Sequence, residues 1–312
     1  MKIVILGLLM PLAGFLLAEV FLRVLFGFGN PPLYIADDDI GYVLAPNQRV
    51  RRFGNLIAIN QYSMRTHEIQ KSRPPENLRV FMIGDSIING NWWTDQSEIL
   101  SALMEQALSQ QTNKQQIVEV LNASANSWGP RNELAYLQKF GTFESQIVML
   151  VINTDDLFGT QPSPLQVGQD LNYPNKKPIL ALLELATRFQ KRPAIPGLKE
   201  IQNEKGDRIG KNLTAIETMN KHVDVSGGKL LLAMTPLKRE VINGPRDYEL
   251  VARKRVDELV AQQQIPYIDF LQAFQDEPAP TSLYRDHIHL SSSGNQLVTQ
   301  TLIDLILQSI PL

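Results

Sequence analysis

Two stretches far apart in the chain hold side chains whose types and spacing suit nucleophilic chemistry. The first is Gly84-Asp85-Ser86, which follows the apolar run Val80-Phe81-Met82-Ile83 without a break. Such a run reads as a buried strand, and a serine at its C-terminal end lies where open α/β sheets form their ligand crevice. Gly84 lets the backbone turn tightly there. Alone, the tripeptide is also ordinary turn chemistry. The second stretch is Asp286-His287-Ile288-His289-Leu290, followed by Ser291-Ser292-Ser293-Gly294 and a helical pattern. A serine hydroxyl is a poor nucleophile at neutral pH unless a base takes its proton, and histidine suits that task. A carboxylate then fixes the imidazole tautomer. Asp286 and His289, three apart on one turn, can supply both groups. His287, next to Asp286 in sequence, is expected to point away, toward the rim of a cleft. An aspartate with two solvated histidines is a common loop composition, but its pairing with Gly84-Asp85-Ser86 favours catalysis.

The elements that must position these residues follow from hydrophobic periodicity. Candidate strands are 80–83, 117–121, 147–152, 230–234 and 267–268, apolar runs interrupted only by Glu119, of the kind buried on both faces of a parallel sheet. Candidate helices lie at 95–110, 131–140, 210–226, 246–263 and 292–309. Asp95 and Glu98 have the spacing of a capping box at the start of the first of these. The alternation predicts a three-layer α/β/α domain over residues 78–312, with a mainly parallel five-stranded sheet. Residues 157–208 interrupt it with six prolines around a helix expected at 179–190, and read as a lid or substrate-binding insertion. Residues 28–77 read as a linker and a small β-rich lead-in.

At the N-terminus, residues 3–18 are apolar throughout behind Lys2, and the run resumes after Glu19 and Arg23 as Val24-Leu25-Phe26. A core helix or a cleaved signal peptide would share this pattern. The terminal position and the lack of a clean small-residue cleavage site favour an uncleaved signal-anchor, a transmembrane helix over residues 1–27. The remainder would then be extracytoplasmic, either periplasmic or at the cell surface.

Composition narrows the function classes. The 312 residues are 44% hydrophobic and 20% charged, which suits a folded globular chain. A net charge of −2 gives no basic excess for nucleic acid. With no cysteine, thiolate catalysis, thiolate metal sites and disulfides are excluded. Asp155-Asp156 has no further ligand spaced nearby, so no metal is assigned, and no phosphate-binding glycine motif implies a cofactor. His67 and His222 are isolated and read as surface residues. Trp92-Trp93, just past Ser86, reads either as packing beneath the first helix or as a sugar-stacking platform at the cleft mouth.

Taken in order, these blocks resemble the SGNH (GDSL-type) hydrolase superfamily over about residues 78–309. The lead-in segment Gly41-Tyr42-Val43-Leu44-Ala45-Pro46-Asn47 is similar to membrane-anchored bacterial members. The resemblance implies an SGNH/flavodoxin-like fold. It makes Ser86 the nucleophile, His289 the base and Asp286 its orienting carboxylate. It also implies an oxyanion hole from Ser86, from Ser127 (where the family has glycine), and from Asn153 or Thr154, which compete for one alignment position. The implied activity is an extracytoplasmic serine esterase acting on O-acylated cell-surface polysaccharide. Two alternatives share the scaffold: an O-acyltransferase using the same triad, and a non-catalytic surface-assembly or glycan-binding protein.

Overall fold

In the computed structural model, residues 2–111 and 116–309 are described, with side chains from residue 10 onward. The β-rich lead-in forms two antiparallel hairpins. β1 (Tyr34–Asp37) pairs with β2 (Gly41–Leu44), and β3 (Gln48–Arg52) pairs with β4 (Asn55–Ile59). The five apolar runs become β5 (Leu78–Gly84), β6 (Val118–Ser124), β7 (Ile147–Asn153), β8 (Lys229–Thr235) and β9 (Tyr267–Asp269). They form one parallel sheet in the order β6-β5-β7-β8-β9. The order reverses between β5 and β7, so the crevice of the sheet opens where those two strands end.

Alternation along each strand divides the core in two. Phe81, Ile83, Val148, Leu150, Leu230 and Leu232 face the helices Pro130–Phe140, Arg208–Val225 and Asp247–Gln263, together with the lead-in hairpins. Val80, Met82, Met149, Val151, Leu231 and Ala233 face Leu100–Gln111 and Ser292–Ser309. This is the three-layer arrangement that the periodicity predicts.

Two expectations need correction. The helix expected over 95–110 starts at Leu100. Asp95 accepts hydrogen bonds from the Leu56 and Ser97 amides, at 2.7 and 3.1 Å, so the lead-in hairpin takes up the residue expected to cap the helix. The transmembrane helix expected over residues 1–27 is also not found: among the described residues no helix is long and apolar enough to cross a membrane. The α-helix Lys2–Phe21 passes into a π turn, Leu22–Phe26, that ends at Gly27 with φ 71°. A Cβ at Gly27 would lie 2.0 Å from the Arg51 carbonyl, so the chain can run this close to β3 only with glycine there. The charged end of the run is tied to the domain. Arg23 pairs with Glu19 at 2.6 Å, and Glu19 accepts from the Ala181 and Leu182 amides at 2.8 and 3.0 Å.

The insertion carries the helix Ala181–Thr187, shorter than the periodicity suggests, and the turn Leu198–Gln202. Glu184 anchors it. Its carboxylate lies 2.6 Å from Arg52 on β3 and accepts the Gly29 amide at 2.6 Å.

A second arginine fixes the segment after Ser86. Arg65 is fully buried and donates to the main-chain carbonyls of Leu56, Asn89, Asn91 and Thr94. Removing one partner from buried carbonyls costs about 1–3 kcal/mol for each group left unsatisfied. Arg65→Met, which keeps the apolar stem but removes every donor, should therefore destabilise the fold by about 3 kcal/mol or more. Urea denaturation checks this through a lowered midpoint at unchanged slope.

Candidate active site

Strand β5 delivers Ser86 to the crevice through two local devices. At Gly84 a Cβ would lie 2.4 Å from the Val151 carbonyl of β7, so only glycine lets the strands close at this point. Asp85 then caps the short helix Ser86–Asn89 by accepting the Ile87 amide at 2.8 Å. Ser86 is left 8% exposed at the floor of a cleft of about 670 Å³.

The C-terminal stretch meets it there. Ser86 Oγ lies 2.9 Å from His289 Nε2, and His289 Nδ1 lies 2.8 Å from Asp286 Oδ2. The other Asp286 oxygen accepts the amides of Ile288 and His289, at 2.9 and 2.8 Å. Burial works to raise the Asp286 pKa. The two amides and the imidazole outweigh it, so the carboxyl sits below its ordinary value and stays ionised. With the proton on Nδ1 donated to this carboxylate, Nε2 is left to accept from the serine hydroxyl. The His287 side chain is 83% exposed and 3.8 Å from Asp286, on the cleft rim.

Around this line, Trp93 stands edge-on to the His289 ring at 4.9 Å, and Arg285 covers the indole at 4.9 Å. Trp92 lines the cleft, packs on Phe53 at 4.7 Å and remains partly exposed. Neither tryptophan lies beneath the first helix. Asn91, which sequence reasoning missed, puts its amide nitrogen 3.4 Å from His289 Nε2. Its adjacency to Gly90, a turn signal directly past the serine, was the available clue.

The expected oxyanion residues are placed unequally. Ser127 lines the cleft with φ 60°, a left-handed conformation that favours glycine and costs a side-chain residue about 1 kcal/mol or more. Its amide meets no main-chain acceptor among the described residues. Asn153 caps the turn Thr154–Phe158, and its side-chain amide donates to Asp85 Oδ2 at 3.0 Å and Asp156 Oδ2 at 2.8 Å. Both amide hydrogens are thereby engaged. Thr154 is not brought to the site. It is fully buried and its hydroxyl accepts from Arg253 at 2.9 Å, because the tight turn after β7 aims it away from the cleft.

Beneath Asn153 lies a group of buried acids. Burial, together with the neighbouring acids Asp85 and Glu133, pushes the Asp156 carboxyl well above its ordinary pKa. Burial raises Asp85 as well, against the opposing pull of the Ile87 amide and of His289. Glu133, on the helix Pro130–Phe140, is fully buried with neither carboxyl oxygen hydrogen-bonded. Burial, then the nearby Asp85, raises it well above its ordinary value, which favours its protonated form. In sequence it looks like an ordinary first-turn acid. Among the described residues no group of three or more His, Cys, Asp or Glu side chains is arranged to hold a metal ion.

A family model described as "GDSL-like Lipase/Acylhydrolase family" matches residues 82–297, from inside β5 into the last helix. The chain belongs to that family. The matched region of this GDSL-like acylhydrolase contains Ser86, Asp286 and His289, and leaves the N-terminal helix and the lead-in hairpins outside. No curated protein matches it. Among solved structures it is similar to an acetyl xylan esterase, at 14% identity and TM-score 0.48, over 75% of this chain and 100% of that one. It is also similar to a lipase/acylhydrolase from Enterococcus faecalis, at 14% identity and TM-score 0.46, over 73% of this chain and 95% of that one. A third is the acetylxylan esterase Axe2 from Geobacillus stearothermophilus, at 14% identity and TM-score 0.49, over 76% of this chain and 96% of that one.

The buried acids make stability depend on pH in a definite direction. Glu133 keeps a proton in the folded acylhydrolase that the unfolded chain releases near pH 4.3, so its contribution is complete below that pH. It is lost as pH rises toward the raised folded value. The urea midpoint should therefore fall between pH 5 and pH 8, and Glu133→Gln should make that fall smaller. An unchanged pH slope in the variant would mean that Glu133 carries no proton in the fold.

Proposed function

We propose that this GDSL-like acylhydrolase is a serine esterase in which Ser86 is the nucleophile, His289 the general base and Asp286 the group that orients it. The observation that carries this reading is the continuous line from Ser86 Oγ to His289 Nε2 at 2.9 Å and from His289 Nδ1 to Asp286 at 2.8 Å. Ser86 Oγ attacks the ester carbonyl as its proton passes to Nε2. The tetrahedral oxyanion faces the Ser86 and Ser127 amides. Collapse expels the alcohol, which takes the proton from His289. Water, deprotonated by His289, then releases the acid and frees the serine. Asn153 joins the oxyanion site only if it gives up Asp85 or Asp156, so two main-chain donors carry the resting geometry.

The substrate that suits the cleft is an O-acylated glycan. Gln161 and Asn172 offer paired donors and acceptors to hydroxyls, and Trp92 offers an exposed ring for a sugar. Gln161, Ser163 and Tyr173 come from the insertion, which narrows solvent access. That supports a second reading in which a sugar hydroxyl replaces water in the second step. Extracytoplasmic placement rests on the apolar run behind Lys2. A reporter fused to the C-terminus should be inactive in the cytoplasm and active outside it, and the reverse pattern would overturn the placement.

The deciding experiment is covalent labelling of the full chain by a fluorophosphonate, with turnover of an activated acetyl ester. Wild type should label and Ser86→Ala should not, with an unchanged unfolding midpoint. His289→Ala should lose about 10³-fold or more in kcat/KM, whereas His287→Ala should stay near wild type. Absence of labelling in wild type would leave the binding-protein reading. Acyl transfer to an added oligosaccharide that outcompetes hydrolysis would assign the second step to a sugar hydroxyl.

A further inference from the structure

The Ser127 loop is held from outside the sheet. Tyr173, in the insertion, donates its hydroxyl to Ser127 Oγ at 3.0 Å and lies 3.4 Å from the Asn126 carbonyl. Tyr42, on β2, donates to that same carbonyl at 2.6 Å, and its own carbonyl accepts the Trp128 indole N–H at 2.9 Å. The Tyr173 ring is buried against Tyr34 at 5.2 Å and Tyr42 at 4.9 Å. Its backbone is fixed on both sides. The Tyr173 carbonyl accepts the Gly168 amide, and the Pro174 carbonyl accepts the Tyr34 amide, each at 2.8 Å. Tyr173 therefore reaches the loop from a rigid mount, although no helix or strand contains it.

We infer that Tyr173 is a positioning residue: it holds Ser127 in the left-handed conformation that presents the Ser127 amide to the oxyanion. The inference rests on the esterase reading of the site. Its physical basis is the difference between serine and glycine at φ 60°. Glycine takes that conformation freely, whereas serine is drawn back toward negative φ, which rotates its amide away. Serine also brings an oxygen that glycine lacks, and that oxygen accepts the Tyr173 hydroxyl. The side chain that strains the loop thus supplies the handle by which the loop is held.

Three full-chain variants test this: Tyr173→Phe, Ser127→Gly, and the two combined. Tyr173→Phe keeps the ring packing and removes only the donor. It should lower kcat on an activated acetyl ester by about tenfold or more, with KM within about twofold, because the oxyanion exists only along the reaction path. Whatever the rate of Ser127→Gly, adding Tyr173→Phe to it should change kcat little, since no hydroxyl is left to hold. If Tyr173→Phe raises KM at unchanged kcat, the tyrosine contacts substrate and the inference fails. It fails equally if the loss is the same in both backgrounds. Amide hydrogen exchange at residues 126–129 gives a readout that needs no turnover. Tyr173→Phe should speed exchange there and leave β5 and β7 unchanged, and an unaltered exchange rate would overturn the inference even if wild type proved inert. An inert wild type that still shows faster loop exchange in Tyr173→Phe would count against the esterase reading alone.

Discussion

The site depends on how closely two strands can approach. β5 and β7 are neighbours at the point where strand order reverses, and the Val151 carbonyl occupies the space that a side chain at residue 84 would need. Because that residue is glycine, the two strand ends stay together, and the turns that leave them share one cavity. Ser86 leaves from one end and Asn153 from the other, and Asp85 Oδ2 accepts the asparagine amide while lying 3.2 Å from Ser86 Oγ. An alanine at 84 would push the ends apart and separate Ser86 from the acids beneath it. The proposed chemistry therefore rests on an absent methyl group.

What lies under the cleft is energetically unfavourable for the fold. Asp85, Glu133 and Asp156 are all buried, and burial raises the pKa of each, with neighbouring acids adding to the rise at Glu133 and Asp156. Buried acids are usually neutralised or fully hydrogen-bonded, since an uncompensated charge is costly. Here Asn153 is shared between two of them, while Glu133 has no hydrogen-bond partner among the described residues. The fold accepts this arrangement in return for a rigid, polar floor that holds the Asn153 amide in one orientation. The opposite side of the site is organised differently: the Arg65 guanidinium gathers four carbonyls and fixes the loop that carries Asn91, Trp92 and Trp93.

The sheet was legible in the sequence because strands buried on both faces are written as unbroken apolar runs, and each predicted run is a strand. Asp286 and His289 were legible because their partnership is local, set by a spacing of three. What failed to show depended on distant partners. Asp95 looked like a helix cap until Leu56, 39 positions away, claimed it. Thr154 and Asn153 are adjacent, and which one faces the crevice is fixed by a turn and by Arg253, 99 positions on. Tyr173 sits in a proline-rich stretch with no periodicity, so nothing in its neighbourhood marks it as the residue that holds the Ser127 loop. Glu133 occupies a helix position where acids are ordinary, and its burial follows from the helix packing across β5.

The joint between the N-terminal helix and the insertion also bears on how the molecule can be cut. Glu19 supplies the acceptors for the first two amides of the helix Ala181–Thr187, and Arg23 donates to the Ile179 carbonyl just before it at 2.8 Å. A fragment starting at residue 28 would look like a clean excision of an apolar leader. In fact it removes the cap of a helix 162 residues downstream of Glu19, on the segment that narrows the cleft and carries Tyr173. Trimming the chain for solubility is therefore an edit of the cleft wall, with its effect felt far along the sequence from the cut.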